Sequence, residues 1–286
     1  MTTVFIDGLG FIGASLAELM KESQPDVKII AHDPNPENLQ VMIQSGTVEA
    51  SVAFDEGAKK ADWIFLASPV AVICQRLEEL AKLDLKSGAV VTDVGSSKVQ
   101  IEKSAQTLMA KGTAFLAGHP MAGSHLSGAA NANPGRLVDH TYFLIQENTS
   151  QEEVQDFEDL LSAARFDFRM VDAKSHDHIV ASSSHLPHLL AFALAETVAK
   201  DQRESDVDWG KPAAGFLDAS RIAKADPTMW TSIFLSNPNQ VLAEITDFEK
   251  EVQKLKKYIE NGQEKKLFNQ LSATQKDRIQ MEKEHE

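Results

Sequence analysis

The chain has 286 residues, more than one average domain needs, and 43% of them are hydrophobic, an ordinary globular composition. Its formal net charge of −14 argues against nucleic acid and anionic membrane partners, and it requires an anionic substrate to be met by specific cations. No apolar run reaches membrane-spanning length and no basic, apolar leader precedes the first predicted strand, so the expected location is the cytoplasm.

The first predicted strand, Thr3 to Ile6, runs into Gly8-Leu9-Gly10-Phe11-Ile12-Gly13, and an apolar helix follows from Ala14 to Met20. Strand, GxGxxG, helix is the context in which the glycines have a physical task. The first permits the tight turn, the second lets backbone approach a pyrophosphate, and the third lets helix and strand pack closely. The helix amino terminus then offers unpaired N–H groups to phosphate. A second strand from Val27 to His32 ends at Asp33, whose carboxylate suits the two ribose hydroxyls of NAD and repels the 2′-phosphate of NADP. The expected cofactor is therefore NAD, with Gly8, Leu9, Gly10, Phe11, Ile12, Gly13 and Asp33 among its contacts.

Asn35-Pro36 predicts a capped helix that ends at Gly46. The continuous apolar run Trp63 to Ala67 reads as a buried parallel strand; it stops at Ser68-Pro69, also placed at the cofactor, and a helix continues from Val70. Cys74, the only cysteine, excludes an intramolecular disulfide and shares helical spacing with Val70, Ile73 and Leu77, as a packing residue does. Strands at 89–93, 114–117, 142–145 and 166–171 alternate with helices at 98–111 and 152–164. That alternation predicts an α/β, doubly wound, Rossmann-type domain over residues 1–172.

After residue 173 the strand signals stop, and 173–286 reads as an all-helical domain. Ile179 to Lys200 looks helical with Pro187 bending it, 202–211 looks like a loop, and Asp226-Pro227 and Asn237-Pro238 look like helix starts. The helix after Pro238 carries Leu242, Ile245, Phe248, Val252, Leu255 and Ile259 as one apolar stripe. Either the stripe packs within its own domain or it meets a second subunit. The expectation is a homodimer through the helical domain.

Ligands of a doubly wound sheet bind beyond the carboxyl ends of its strands. Three turns fall there: Ser68-Pro69, Asp93 to Lys98, and Gly118 to Ser124. His119, between Gly118 and Pro120 and expected on a turn, is the natural general base; the competing role is a bond to backbone. Ser96 can share a hydrogen bond with the same substrate group or cap the helix that follows. In the helical half, His185 and His188 share one helix face, and Arg221 is either a surface cation or a fork for a substrate carboxylate. His176 and His178 raise a metal site, which is disfavoured because no carboxylate spacing or HExxH accompanies them.

GLGFIGAS, SPV, DVGSSK, GHPMAGS, SHLPH and RIAKADPTMW, in that order over nearly the whole chain, resemble the prephenate/arogenate dehydrogenases of tyrosine biosynthesis. GHPMAG with SHLPH is much more specific than the glycine loop. The resemblance implies oxidative decarboxylation with NAD(P) as oxidant, giving 4-hydroxyphenylpyruvate from prephenate or tyrosine from arogenate. It implies that His119 pairs with the ring hydroxyl and Ser96 assists it. It further implies that Ser124, His125, His185, His188 and Arg221 line the substrate, with Arg221 on a carboxylate. A helical dimerisation domain is implied too, and with the sequence ending at Glu286 no regulatory ACT domain is expected. Many members carry an acid where this chain has His125. Without that acid the ammonium of arogenate loses a partner, which favours prephenate, a dicarboxylate. Two rivals are a β-hydroxyacid dehydrogenase, for which Lys200, Lys211 and Lys224 lack a convincing motif, and a cofactor-sensing protein without catalysis, which His119, Ser96 and Arg221 argue against.

Overall fold

The computed structural model describes residues 1–123 and 126–283, in two compact units, Met1–Pro238 and Asn239–Glu286. The first unit is built on one eight-stranded sheet: β1 (Thr3–Asp7), β2 (Lys28–His32), β3 (Ala50–Ser51), β4 (Trp63–Leu66), β5 (Val90–Asp93), β6 (Ala114–Pro120), β7 (Thr141–Gln146) and β8 (Asp167–Met170). The spatial order is β3-β2-β1-β4-β5-β6-β7-β8. Every pair is parallel except β6 and β7, which run antiparallel. From β1 the chain winds first to β2 on one side and later to β4 on the other, which opens a crevice at their carboxyl ends.

Helices α1 (Phe11–Ser23), α2 (Pro36–Gln44), α3 (Phe54–Lys60), α4 (Val70–Leu80), α5 (Val99–Ala110) and α6 (Gln151–Leu160) connect the strands. Strand side chains alternate between two cores, one per face. Val4, Ile6, Trp63 and Phe65 join α1 and α6 on one face; Phe5, Ile64, Leu66, Phe115 and Cys74 join α4 and α5 on the other. Asn35 caps α2 by accepting the Glu37 N–H at 3.0 Å, with Pro36 in the first turn, as its sequence predicts. The short β3 and α3 carry too little apolar periodicity to be read beforehand.

Helices α7 (Ala173–Val180), α8 (Leu186–Glu204), α9 (Ala214–Ser220) and α10 (Pro227–Ser236) follow the sheet. The strands end near the expected division at 172, yet the compact unit continues to Pro238, because α7 packs on α5 and α10 packs on α4. The helix expected from Ile179 to Lys200 is interrupted by a π-helical turn, Ala181–His185. Pro187 is the second residue of α8, directly after that turn. In the second unit, α12 (Glu264–Lys283) follows α11 (Pro238–Glu260) after a turn in which Gly262 takes φ +59°. Phe248, Val252, Ile259, Phe268 and Leu271 are exposed on these helices. Among the described residues, no helix is long and apolar enough to cross a membrane.

Candidate active site

The three glycines of the loop after β1 differ in what surrounds them. Gly8 takes φ +106°, and a Cβ there would lie 2.6 Å from the Ala67 carbonyl oxygen. A Cβ on Gly13 would lie 2.0 Å from the Gly8 oxygen, so α1 could not pack so closely on the loop. Gly10 faces open space, with nothing within 4 Å of its Cβ position. It is the N-cap of α1, with no side-chain cap and no acid in the first turn, which leaves donors for an anion.

Asp33 stands beside this loop. Its Oδ2 accepts the Leu9 N–H at 2.6 Å, and its Oδ1 accepts Asn35 N–H at 2.7 Å and the Asn38 amide at 3.2 Å. Leu9 and Phe11 are buried and Ile12 packs against the same core, so the loop rests on a fixed floor. Ser68 donates to the Asp7 carbonyl at 3.3 Å, and Pro69 opens α4. One element here was not anticipated: the buried Asp7 carboxylate, held by His32 at 2.7 Å and Arg76 at 3.0 Å.

His119 lies within β6, paired with Phe143, rather than on a turn. Its Nδ1 is 2.9 Å from His176 Nε2, and His176 Nδ1 is 2.9 Å from Asp177 Oδ1. Asp177 also accepts the main-chain N–H groups of Lys98 at 2.7 Å and Val99 at 3.0 Å, so it caps α5 from a distant helix. Ser96 therefore is not the helix cap; it sits partly exposed in the turn before it. The bonding order assigns the tautomers. A carboxylate only accepts, so His176 Nδ1 donates to Asp177. His176 Nε2 then accepts from His119 Nδ1–H, which leaves a lone pair on His119 Nε2.

Burial holds His119 well below the ordinary 6.5, reinforced by His176, Lys98 and His185. Burial also lowers His176, against the hydrogen bond that it donates to Asp177. His185, at the end of the π-helical turn, is buried and pushed down to about 4 by desolvation. His188 is pushed to about 4 mainly by burial, opposed by the Ile222 backbone and aided by Arg221. These imidazoles are neutral at neutral pH.

The expected shared face of His185 and His188 is real, because both meet Trp230 of α10. The His188 ring stacks on the indole at 3.6 Å between centroids, and His185 meets it edge-on at 6.2 Å. His185 Nδ1 and Trp230 Nε1 are buried without a hydrogen-bond partner among the described residues. A buried polar atom without a partner is costly, and a polar ligand would relieve it. Arg221 follows α9, which packs on α8; it is exposed and within electrostatic reach of His188. Ser124 and His125 lie outside the described residues.

Sequence reasoning missed His176 and Asp177 as partners of His119. They lie 57 and 58 positions downstream, and no local pattern announces such a pairing. Trp230 stood within a recognised motif but carried no assigned role.

A family model described as prephenate dehydrogenase, nucleotide-binding domain, matches residues 16–167, and one described as prephenate dehydrogenase, dimerization domain, matches 172–273. A prephenate dehydrogenase of Lactococcus lactis subsp. cremoris is 37% identical over 89% of this chain and 70% of its own. One of Bacillus subtilis is 31% identical over 93% of this chain and 72% of its own. A crystal structure of prephenate dehydrogenase from A. aeolicus, in complex with hydroxyphenyl propionate and NAD+, superposes with a TM-score of 0.88 at 29% identity over 98% of both chains.

Proposed function

The chain belongs to the prephenate dehydrogenase family, and from that premise we propose how its residues oxidise and decarboxylate prephenate with NAD. The observation that carries the reading is the directed chain Asp177–His176–His119, which leaves a neutral imidazole nitrogen as proton acceptor at the carboxyl edge of the sheet. His119 lies three strands from the glycine loop, about 14 Å by sheet spacing, so a dinucleotide laid along this edge reaches it.

The cradle fits NAD. Gly10 leaves backbone open to a pyrophosphate, α1 offers free first-turn donors, and the Asp33 carboxylate at the end of β2 suits ribose hydroxyls and repels a 2′-phosphate. When bound, the dinucleotide supplies the acceptor for the hydride of the hydroxyl-bearing ring carbon. His119 Nε2 takes the hydroxyl proton as that carbon becomes a carbonyl. CO2 leaves the opposite ring carbon, and its bonding pair completes the aromatic ring. His119 then returns its proton to the oxygen, so the product is the phenol 4-hydroxyphenylpyruvate and the protein keeps no proton. Ser96 shares the hydroxyl hydrogen bond, and Arg221 clamps a carboxylate. His185, His188 and Trp230 form the wall against which the ring is held.

Residues 1–172 serve as the nucleotide-binding part, and 173–286 supply the substrate wall and a homodimer contact. The exposed apolar residues of α11 and α12 suit that contact, and a cytoplasmic location fits a biosynthetic enzyme of this kind. The test is NADH formation with prephenate, arogenate and a small hydroxyacid offered in parallel. Rapid turnover with prephenate is expected; turnover confined to either other substrate would overturn the assignment.

A further inference from the structure

The backbone before His119 is held at both polar groups of Gly118. The Gly118 N–H donates to Asp93 Oδ1 at 3.3 Å, and its carbonyl accepts from Lys98 Nζ at 2.5 Å. A Cβ on Gly118 would lie 2.7 Å from the Tyr142 ring, so the backbone here packs directly on that ring. Lys98 is fully buried and forms an ion pair with Asp93, whose Oδ2 also accepts the Gly95 N–H at 2.7 Å. The same residue reaches the other end of the imidazole chain, because its main-chain N–H holds Asp177 at 2.7 Å.

We propose that Lys98 is a positioning residue for the general base: its ammonium locks the peptide that carries His119, and its own N–H locks the carboxylate that orients His176. The inference deepens the reading of His119 as base and rests on it. A buried cation is retained only with full compensation, and Asp93 with the Gly118 carbonyl provides it. A neutral isostere of similar length would pack in the same volume, so the charge has a use beyond filling space. That use is electrostatic as well as geometric. The charged or titratable groups facing His119 are His176 from α7, His185 from the π-helical turn and Lys98 from the β5–α5 turn. Those facing Lys98 are Asp93, Asp177 and the Cys74 thiol. A cation so placed disfavours a proton on His119 and keeps it ready to accept one.

The experiment uses the full chain with Lys98→Met and Asp93→Asn. The readouts are NAD affinity, the pH profile of kcat/KM for prephenate, and the NMR titration of the His119 imidazole. Lys98→Met is expected to lower kcat by roughly tenfold or more with NAD affinity near wild type, and to move the acid limb and the imidazole titration to higher pH. Asp93→Asn leaves the cation uncompensated and is expected to move both to lower pH. A folded Lys98→Met whose limb and titration match wild type overturns the proposal, even if its kcat falls, because packing alone would give that result. If neither variant folds, the Nζ resonance of the wild type decides: a hydrogen-bonded ammonium at neutral pH supports the proposal, and a neutral amine overturns it. The imidazole titration needs no turnover. A wild type inactive on prephenate would thus refute the functional reading and leave the role of Lys98 to be judged separately.

Discussion

The residues beside the glycine loop and those around Trp230 differ in how their buried side chains are bonded. On the nucleotide side, Asp33 accepts three hydrogen bonds and Asp7 is held by His32 and Arg76. On the helical side, His185 Nδ1 and Trp230 Nε1 are buried without partners among the described residues. The carboxylates beside the glycine loop are bonded before any ligand arrives, while the first turn of α1 keeps its N–H donors free. The helical side carries buried polar atoms whose cost would be met if the proposed substrate binds there. Substitutions on the nucleotide side should therefore appear in nucleotide affinity and stability, and substitutions on the helical side in kcat and KM.

The sharpest way to separate the two sides is His119→Asn, expected to reduce kcat by roughly 10²- to 10⁴-fold while NAD affinity and thermal midpoint stay near wild type. A comparable loss of NAD affinity, measured by fluorescence titration, would merge the two sides into one. Gly13→Ala is the converse. Its methyl group would lie 2.0 Å from the Gly8 oxygen, so the expected result is a lower thermal midpoint and NAD binding weaker by ~100-fold. An unchanged dissociation constant would remove the third glycine from the cradle.

Arg221→Ala tests the helical side. The expected effect is a rise of about tenfold or more in the prephenate KM with kcat little changed, as loss of a carboxylate clamp should give. Trp230→Phe keeps the stacking surface under His188 and deletes only the indole N–H; a rise in KM of about threefold to tenfold is expected. Steady-state kinetics decide both.

Protonation gives the gentlest handle. His119 lies well below 6.5 and His185 and His188 near 4, so the folded state binds fewer protons than the unfolded chain between those values. Stability should be unaffected by these groups above pH 6.5 and should decline as pH falls from there towards 4. The loss of kcat/KM on the acid side should likewise lie below 6.5. A thermal midpoint that rises on acidification through that window would contradict these assignments.

The nucleotide half was largely legible because its signals are local. A tight turn needs glycine at Gly8, close packing needs it at Gly13, and the acid proposed for the ribose, Asp33, follows directly on its own strand. Each is a short-range demand that a few adjacent residues must satisfy. The apolar runs that make β4 and β5 announced themselves for the same reason, being buried on both faces.

The imidazole half was legible as a set of residues but not as an arrangement. Sequence brought forward His119, Ser96, His185, His188 and Arg221; it offered His119 on a turn, Ser96 as a possible cap and His176 as a possible metal ligand. Folding put His119 inside β6, gave the capping of α5 to Asp177, and turned His176 into the link between them. Hydrogen bonds between groups 57 to 79 positions apart leave no periodicity to read. They exist because a sheet edge and a later helix are pressed together, and the direction of each proton is fixed only once the last acceptor in the row is in place. The residue types set the available chemistry, and the tertiary packing chose which nitrogen is left free to accept a proton.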